Sequence, residues 1–130
     1  MKLLHQDLTE NIIAAFFEVY NNLGYGFLER VYERSMLHEL GLRGMFTRSQ
    51  QPIKVYYKGQ ITGDFVADII VENKVIVEIK AASLLAIEHD KQLQNYLRAT
   101  DIEVGLLLNF GPKPQLLRRV LTNENKEVRI

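Results

Sequence analysis

The stretch from residue 61 to residue 80 constrains the fold more than any other. Two runs rich in β-branched residues, 61–71 and 75–80, flank the polar triplet Glu72-Asn73-Lys74, which predicts two antiparallel strands joined by a tight turn. A third run, Ile53-Lys54-Val55-Tyr56-Tyr57, precedes them across Lys58-Gly59-Gln60, so a three-stranded meander is expected. Side chains alternate along a strand, which sends Glu78 and Lys80 to one face and Val77 and Ile79 to the other. With the turn centred on Asn73, Asp68 falls opposite Glu78, their Cβ atoms about 5 Å apart. Like charges placed so destabilise a sheet, and two hard oxygen donors beside a lysine suit a divalent cation such as Mg²⁺ or Mn²⁺. A slip of one residue would undo the pairing. In a regular strand Asp64, Val66 and Asp68 share a face, so Asp64 competes with Asp68; Asp68 is preferred because it needs only the short turn. The plainer reading is that Glu78-Ile79-Lys80 is the solvated side of an amphipathic strand.

Helical periods flank this hairpin. Leu8, Ile12, Ala15, Phe16, Val19 and Leu23 recur at helical spacing, Asp7 and Glu10 have the form of a capping box, and Gly24-Tyr25-Gly26 ends the helix. A second helix is expected over 27–40, stopping at Gly41. A third is expected over about 85–100, where Leu85, Leu93 and Leu97 keep the period. The apolar run 104–108 reads as a strand buried on both faces. Pro112 and Pro114 interrupt the chain, and 116–121 fits either a final strand or a helix. The order ααβββαβ predicts an α/β or α+β sandwich.

A chain of 130 residues is expected to form a single domain over 1–130. Its 16 basic and 16 acidic residues give a net charge of +0, so any polyanion must be held by a local patch rather than by the whole surface. The one basic stretch is Arg43, Arg48, Lys54 and Lys58, with no acid between residues 41 and 60. The absence of cysteine excludes disulfides, thiolate zinc sites, iron–sulfur clusters and a cysteine nucleophile together. The longest apolar run, 12–17, is far short of the ~20 residues of a membrane helix, and the start has no signal-peptide pattern. A cytoplasmic protein without membrane partners is expected. Gly24-x-Gly26 follows a helix and has Glu29 where a dinucleotide fingerprint needs glycine. His5, His38 and His89 share no metal-ligand spacing, although His89 lies on the third helix near the other polar positions.

Two helical motifs complete the picture. Gly26-Phe27-Leu28-Glu29-Arg30-Val31-Tyr32 has the form G-x-x-E-x-x-Y, and Gln92-Leu93-Gln94-Asn95-Tyr96 the form Q-x-x-x-Y; each places two polar side chains one helical turn apart. Together with Asp68 and Glu78-x-Lys80, over about residues 8–110, they resemble the small GxxExxY proteins, a branch of the PD-(D/E)XK nuclease superfamily related to RecB-type nucleases. The resemblance implies a restriction-endonuclease-like α/β sandwich, a mixed central sheet flanked by helices. It implies metal-dependent hydrolysis of phosphodiester bonds in nucleic acid, DNA before RNA. Residue by residue, Asp68 and Glu78 would be ligands of Mg²⁺ or Mn²⁺, Lys80 the catalytic lysine, and Glu29 a further acidic contact to metal or water. Tyr32, Gln92 and Tyr96 would support the site and approach substrate. A literal Pro-Asp is absent before the hairpin. The alternative is a non-catalytic binding or adaptor module that keeps the fold. A homodimer or larger complex is also expected, with an exposed segment over 110–120 supplying the contact.

Overall fold

In the computed structural model, which describes residues 3–126, the chain runs α1 (Gln6–Leu23), α2 (Glu29–Leu42), β1 (Thr47–Tyr57), β2 (Gln60–Val71), β3 (Val75–Lys80), α3 (Ile87–Ala99), β4 (Val104–Phe110) and β5 (Pro114–Val120), with a short 3-10 turn at Asn123–Asn125. The five strands form one sheet in the order β1-β2-β3-β4-β5. β1, β2 and β3 make the expected antiparallel meander. α3 then carries the chain over to β4, parallel to β3, and β5 returns antiparallel. This is the α/β sandwich with a mixed central sheet flanked by helices.

Each face of the sheet has its own core. α1 and α2 bury Ile12, Phe16, Tyr32 and Met36 against Val77, Ile79, Leu106 and Phe110. α3 buries Leu93, Tyr96 and Leu97 against Ile53, Ala67, Ile76 and Leu107. β4 lies inside the sheet with all 7 residues buried, as its uninterrupted apolar run requires. α3 closes tightly there because Gly105 lacks a Cβ, which would stand 2.6 Å from Leu93 Cδ1.

The turn between β2 and β3 follows its sequence. Glu72 and Asn73 take positive φ values of 52° and 54°, the Lys74 N–H donates to Val71 O at 2.9 Å, and Lys74 adds a third residue to the connection before Val75 pairs with Val71. The resulting register, Val71↔Val75, Ile70↔Ile76 and Ile69↔Val77, brings Asp68 opposite Glu78.

Several ends differ from expectation. α1 begins at Gln6 after His5 in a left-handed conformation, with no side-chain cap. The Asp7–Glu10 capping box therefore does not form, because Asp7 already lies within the first turn; Glu10 instead accepts a hydrogen bond from the Gln6 amide at 2.9 Å. α2 starts at Glu29 rather than residue 27 and runs through Gly41; the stop comes at Gly44, whose φ is 80°. β1 begins ahead of Pro52, which is tolerated because β1 is an edge strand with one unpaired side. Residues 114–120 form a strand, not a helix. Phe110 is fully buried, so the segment 110–120 is not exposed at its start. Among the described residues, no helix is long and apolar enough to cross a membrane.

Candidate active site

β2 and β3 stop pairing as backbones at Ile69↔Val77. At the next position the side chains take over the ladder. Glu78 Oε2 accepts the Asp68 N–H at 2.8 Å, and Asp68 Oδ2 accepts the Ile79 N–H at 2.8 Å. From there β2 departs from β3 and rolls over. Ile69 and Val71 belong to the α1/α2 core while Ala67 belongs to the α3 core, although odd positions of one strand would ordinarily share a face. On the other flank Gln50 sits at φ 50°, and β1–β2 pairing skips from Ser49↔Ile69 to Gln51↔Ala67. Asp68 thus occupies the point where β2 loses regular partners on both sides. Asp64, on the far part of the hairpin, is exposed and bound to Lys54 at 2.8 Å. Of the two aspartates, Asp68 is the one that stands against Glu78.

Val77 and Ile79 point into the α1/α2 core, so Glu78 and Lys80 lie on the α3 side of β3 by alternation, as the sequence predicts. Glu78 is only 3% exposed. Burial, and next the charge of Asp68, push its carboxyl up to about 8, against the opposing pull of the Asp68 N–H and Lys80. Two further carboxylates approach from successive turns of α2. Glu29, at the exposed start of α2, is raised from its ordinary value by partial desolvation and by Asp68, with Lys80 and His89 pulling the other way. Glu33, held by the Gln50 amide at 2.8 Å, is raised by burial and by its contact with the Asp68 carboxyl. From α3, Tyr96 is pushed up to about 12, by burial first and then by Glu78 and Asp68. Four acids and Lys80 therefore face one another where β2 leaves β3.

The model of the PD-(D/E)XK nuclease superfamily matches residues 6–120. The chain belongs to that superfamily. Among solved structures it is similar to the crystal structure of SSO0001, with a TM-score of 0.56 and 21% identity over 91% of this chain; the chain spans 60% of that protein's length. That likeness concerns the fold. No match to a curated protein was found.

Within this PD-(D/E)XK domain the expected positions separate into those the fold gathers and those it does not. Glu29, Asp68, Glu78 and Lys80 are brought together. Gln92 donates to the Tyr96 hydroxyl at 2.9 Å, and that hydroxyl donates to Val66 O at 3.3 Å, so the pair ties α3 to β2 beside Asp68. Tyr32 corrects the expectation of a substrate contact. It is fully buried, its ring stacks on Phe110 at 4.3 Å, and its hydroxyl is spent on the backbone, donating to Gly24 O at 2.6 Å and accepting the Phe27 N–H at 3.1 Å. It braces the loop that delivers Glu29. Arg43, from the basic stretch, is engaged with Glu39 and Asn11. His89 Nδ1 accepts the Ala86 N–H at 3.1 Å and caps α3.

Sequence reasoning missed Glu33, although its spacing of one helical turn from Glu29 carried the signal. It also missed Asn109. This residue is fully buried, pairs in register with Lys80, and clamps Ala82 through both backbone groups at 2.9 and 3.0 Å, fixing the exit of the chain just past Lys80.

The donor chemistry fits a hard divalent cation: carboxyl oxygens, like charges in close opposition, and one oxygen each of Asp68 and Glu78 outside the backbone hydrogen bonds. Among the described residues, no three His, Cys, Asp or Glu side chains converge as a metal's ligands do. The four carboxylates are neighbours, not a finished cage.

Proposed function

We propose that the chain is a divalent-metal-dependent nuclease of the GxxExxY branch, acting over residues 1–130 as one domain and hydrolysing phosphodiester bonds, DNA before RNA. One observation carries this reading: Glu78, buried and raised to about 8, faces Asp68 across a gap in the sheet. A structural strand pair gains nothing from two opposed acids, whereas a cation offsets them.

Asp68 and Glu78 are the residues that would hold Mg²⁺ or Mn²⁺. When bound, such a cation supplies Lewis acidity, lowering the pKa of water and offsetting charge on a phosphoryl oxygen. Lys80 brings its ammonium to a non-bridging phosphate oxygen, where negative charge grows in the transition state. Glu29, held above the usual carboxylate range, accepts a proton from the attacking water. Gln92 and Tyr96 position β2 at Val66 and so fix Asp68.

Incubation of plasmid and labelled oligonucleotides with Mg²⁺ or Mn²⁺ tests the reading. Wild type is expected to cleave, and Lys80→Ala and Glu78→Ala to lose about a hundredfold or more in rate. Undiminished cleavage by both variants refutes it. Cation binding by wild type without cleavage makes the chain a non-catalytic nuclease-fold module instead. The reading extends to a homodimer, because specific DNA interfaces bury roughly 1,000 Å² or more and β5 is an open edge of the sheet. A light-scattering mass of 15.1 kDa at assay concentration removes the dimer.

A further inference from the structure

Beyond Asp68 the β1–β2 hairpin arches over α3, and the two enclose an open groove of about 870 Å³. Three of its aromatic side chains are open to water: Tyr56 at 45%, Tyr57 at 62% and Phe65 at 44% exposure. Single exposed rings are ordinary, but three along one groove are not.

The backbone is shaped to present them. Pairing shifts from Val55↔Gly63 to Tyr56↔Ile61, which leaves Thr62 as an extra residue on β2. Such a bulge twists the hairpin toward its tip, where Tyr56 and Tyr57 both border the groove. Gly63 makes room for the third ring, since a Cβ there would stand 2.8 Å from Phe65 Cε2. The Phe65 ring centroid lies 6.1 Å from that of Tyr96, whose hydroxyl is tied to β2 beside Asp68. Tyr56 and Tyr57 at the hairpin tip and the Phe65–Tyr96 pair nearer the acidic cluster thus border one groove.

The charge of the groove departs from the neutral average of the chain. Lys58, Lys91 and Arg98 line it, and Glu88 is the one acid among the described lining residues. Lys54 also lines it but is bound to Asp64. Lys58 Nζ lies 5.4 Å from the Tyr57 ring centroid. Cations interleaved with exposed rings match a strand of nucleic acid whose phosphates are held electrostatically and whose bases stack. Stacking requires free base faces, which a duplex hides within its own stack.

We propose that this groove binds single-stranded nucleic acid, with bases on Tyr56, Tyr57 and Phe65 and phosphates on Lys58, Lys91 and Arg98. That the strand is led toward Glu78 for cleavage rests on the nuclease reading; the binding itself does not.

Fluorescence anisotropy in EDTA tests it, with labelled oligothymidylate and oligouridylate of about twelve nucleotides and a DNA duplex of equal length. At least one single strand is expected to bind more tightly than the duplex. Tyr57→Ala and Phe65→Ala each weaken that binding about tenfold, while Tyr57→Phe restores it. Lys91→Ala and Arg98→Ala each lower the salt slope by about one. Circular dichroism confirms folding, and Tyr57 is exposed enough for its alanine variant to fold. Equal or tighter binding of the duplex, or unchanged affinity in both ring variants, overturns the proposal, as does binding of neither single strand. The two readings fail separately. Ring-dependent binding without any cleavage leaves the groove and removes the nuclease; cleavage that prefers duplex and ignores Tyr57→Ala leaves the nuclease and removes the groove.

Discussion

Replacing Glu78 with glutamine is expected to stabilise the metal-free protein while removing hydrolysis. The carboxyl moves from an ordinary value of 4.5 to about 8 on folding, first through burial and then through Asp68. Between those values the folded protein keeps a proton that the unfolded chain has released. Stability therefore falls as pH rises through this window and levels off above about 8, with a limiting slope of about 1.4 kcal/mol per pH unit. Integrated to pH 7, the loss is about 3 kcal/mol. Glutamine keeps an oxygen to accept the Asp68 N–H, now at 2.8 Å, and carries no charge. Glu78→Gln is then expected to melt roughly 10 °C above wild type at pH 7 and close to it near pH 4. Thermal melts followed by circular dichroism in EDTA, stepped across that range, read the effect directly. Melting curves that stay parallel at every pH refute the reasoning. Added Mn²⁺ raises the wild-type midpoint toward that of the variant, because a ligand that binds only the folded state stabilises it, and leaves the variant nearly unmoved.

Two predictions concern how the site is carried. Tyr32→Phe strands the Gly24 carbonyl and Phe27 N–H and is expected to cost about 1–2 kcal/mol; an unchanged chemical-denaturation midpoint removes its bracing role. Gly105→Ala drives a methyl group toward Leu93 and is expected to cost about 1–3 kcal/mol through overpacking. A variant as stable as wild type in the same assay shows that α3 does not seat on β4 so closely.

The hairpin was legible because its information is local. The polar triplet Glu72-Asn73-Lys74 marks the connection, its centre on Asn73 gives the register, and the register sets Asp68 against Glu78. The roll of β2 was not legible, since reading by alternation assumes that a strand keeps its faces, and the left-handed Gln50 that releases it has no residue signature. That assumption is also why Asp64 competed with Asp68. Tyr32 was misplaced by its spacing from Glu29, although Tyr32, Met36 and Leu40 recur every helical turn and are all buried, which marks the core face. Gly41 reads as a stop because glycine weakens helices, yet a solvent-facing glycine costs only about 1 kcal/mol, less than the packing of the buried Leu40 returns.

The separation of β2 from β3 has two consequences that belong together. A sheet that stayed paired past Asp68 would satisfy its own backbone and leave the carboxyls of Asp68 and Glu78 projecting from a flat surface. Because the strands part, those carboxyls complete the broken ladder, each accepting one N–H, and Glu78 is drawn into the interior, where its charge is disfavoured. The same departure frees the outer part of the hairpin to cross over α3, which forms the groove lined by Tyr57 and Phe65. The acid pair and the groove are thus two ends of one distortion. A change that re-paired β2 with β3, such as relieving the left-handed Gln50, would act on both at once, whereas a change at Tyr57 reaches only the groove.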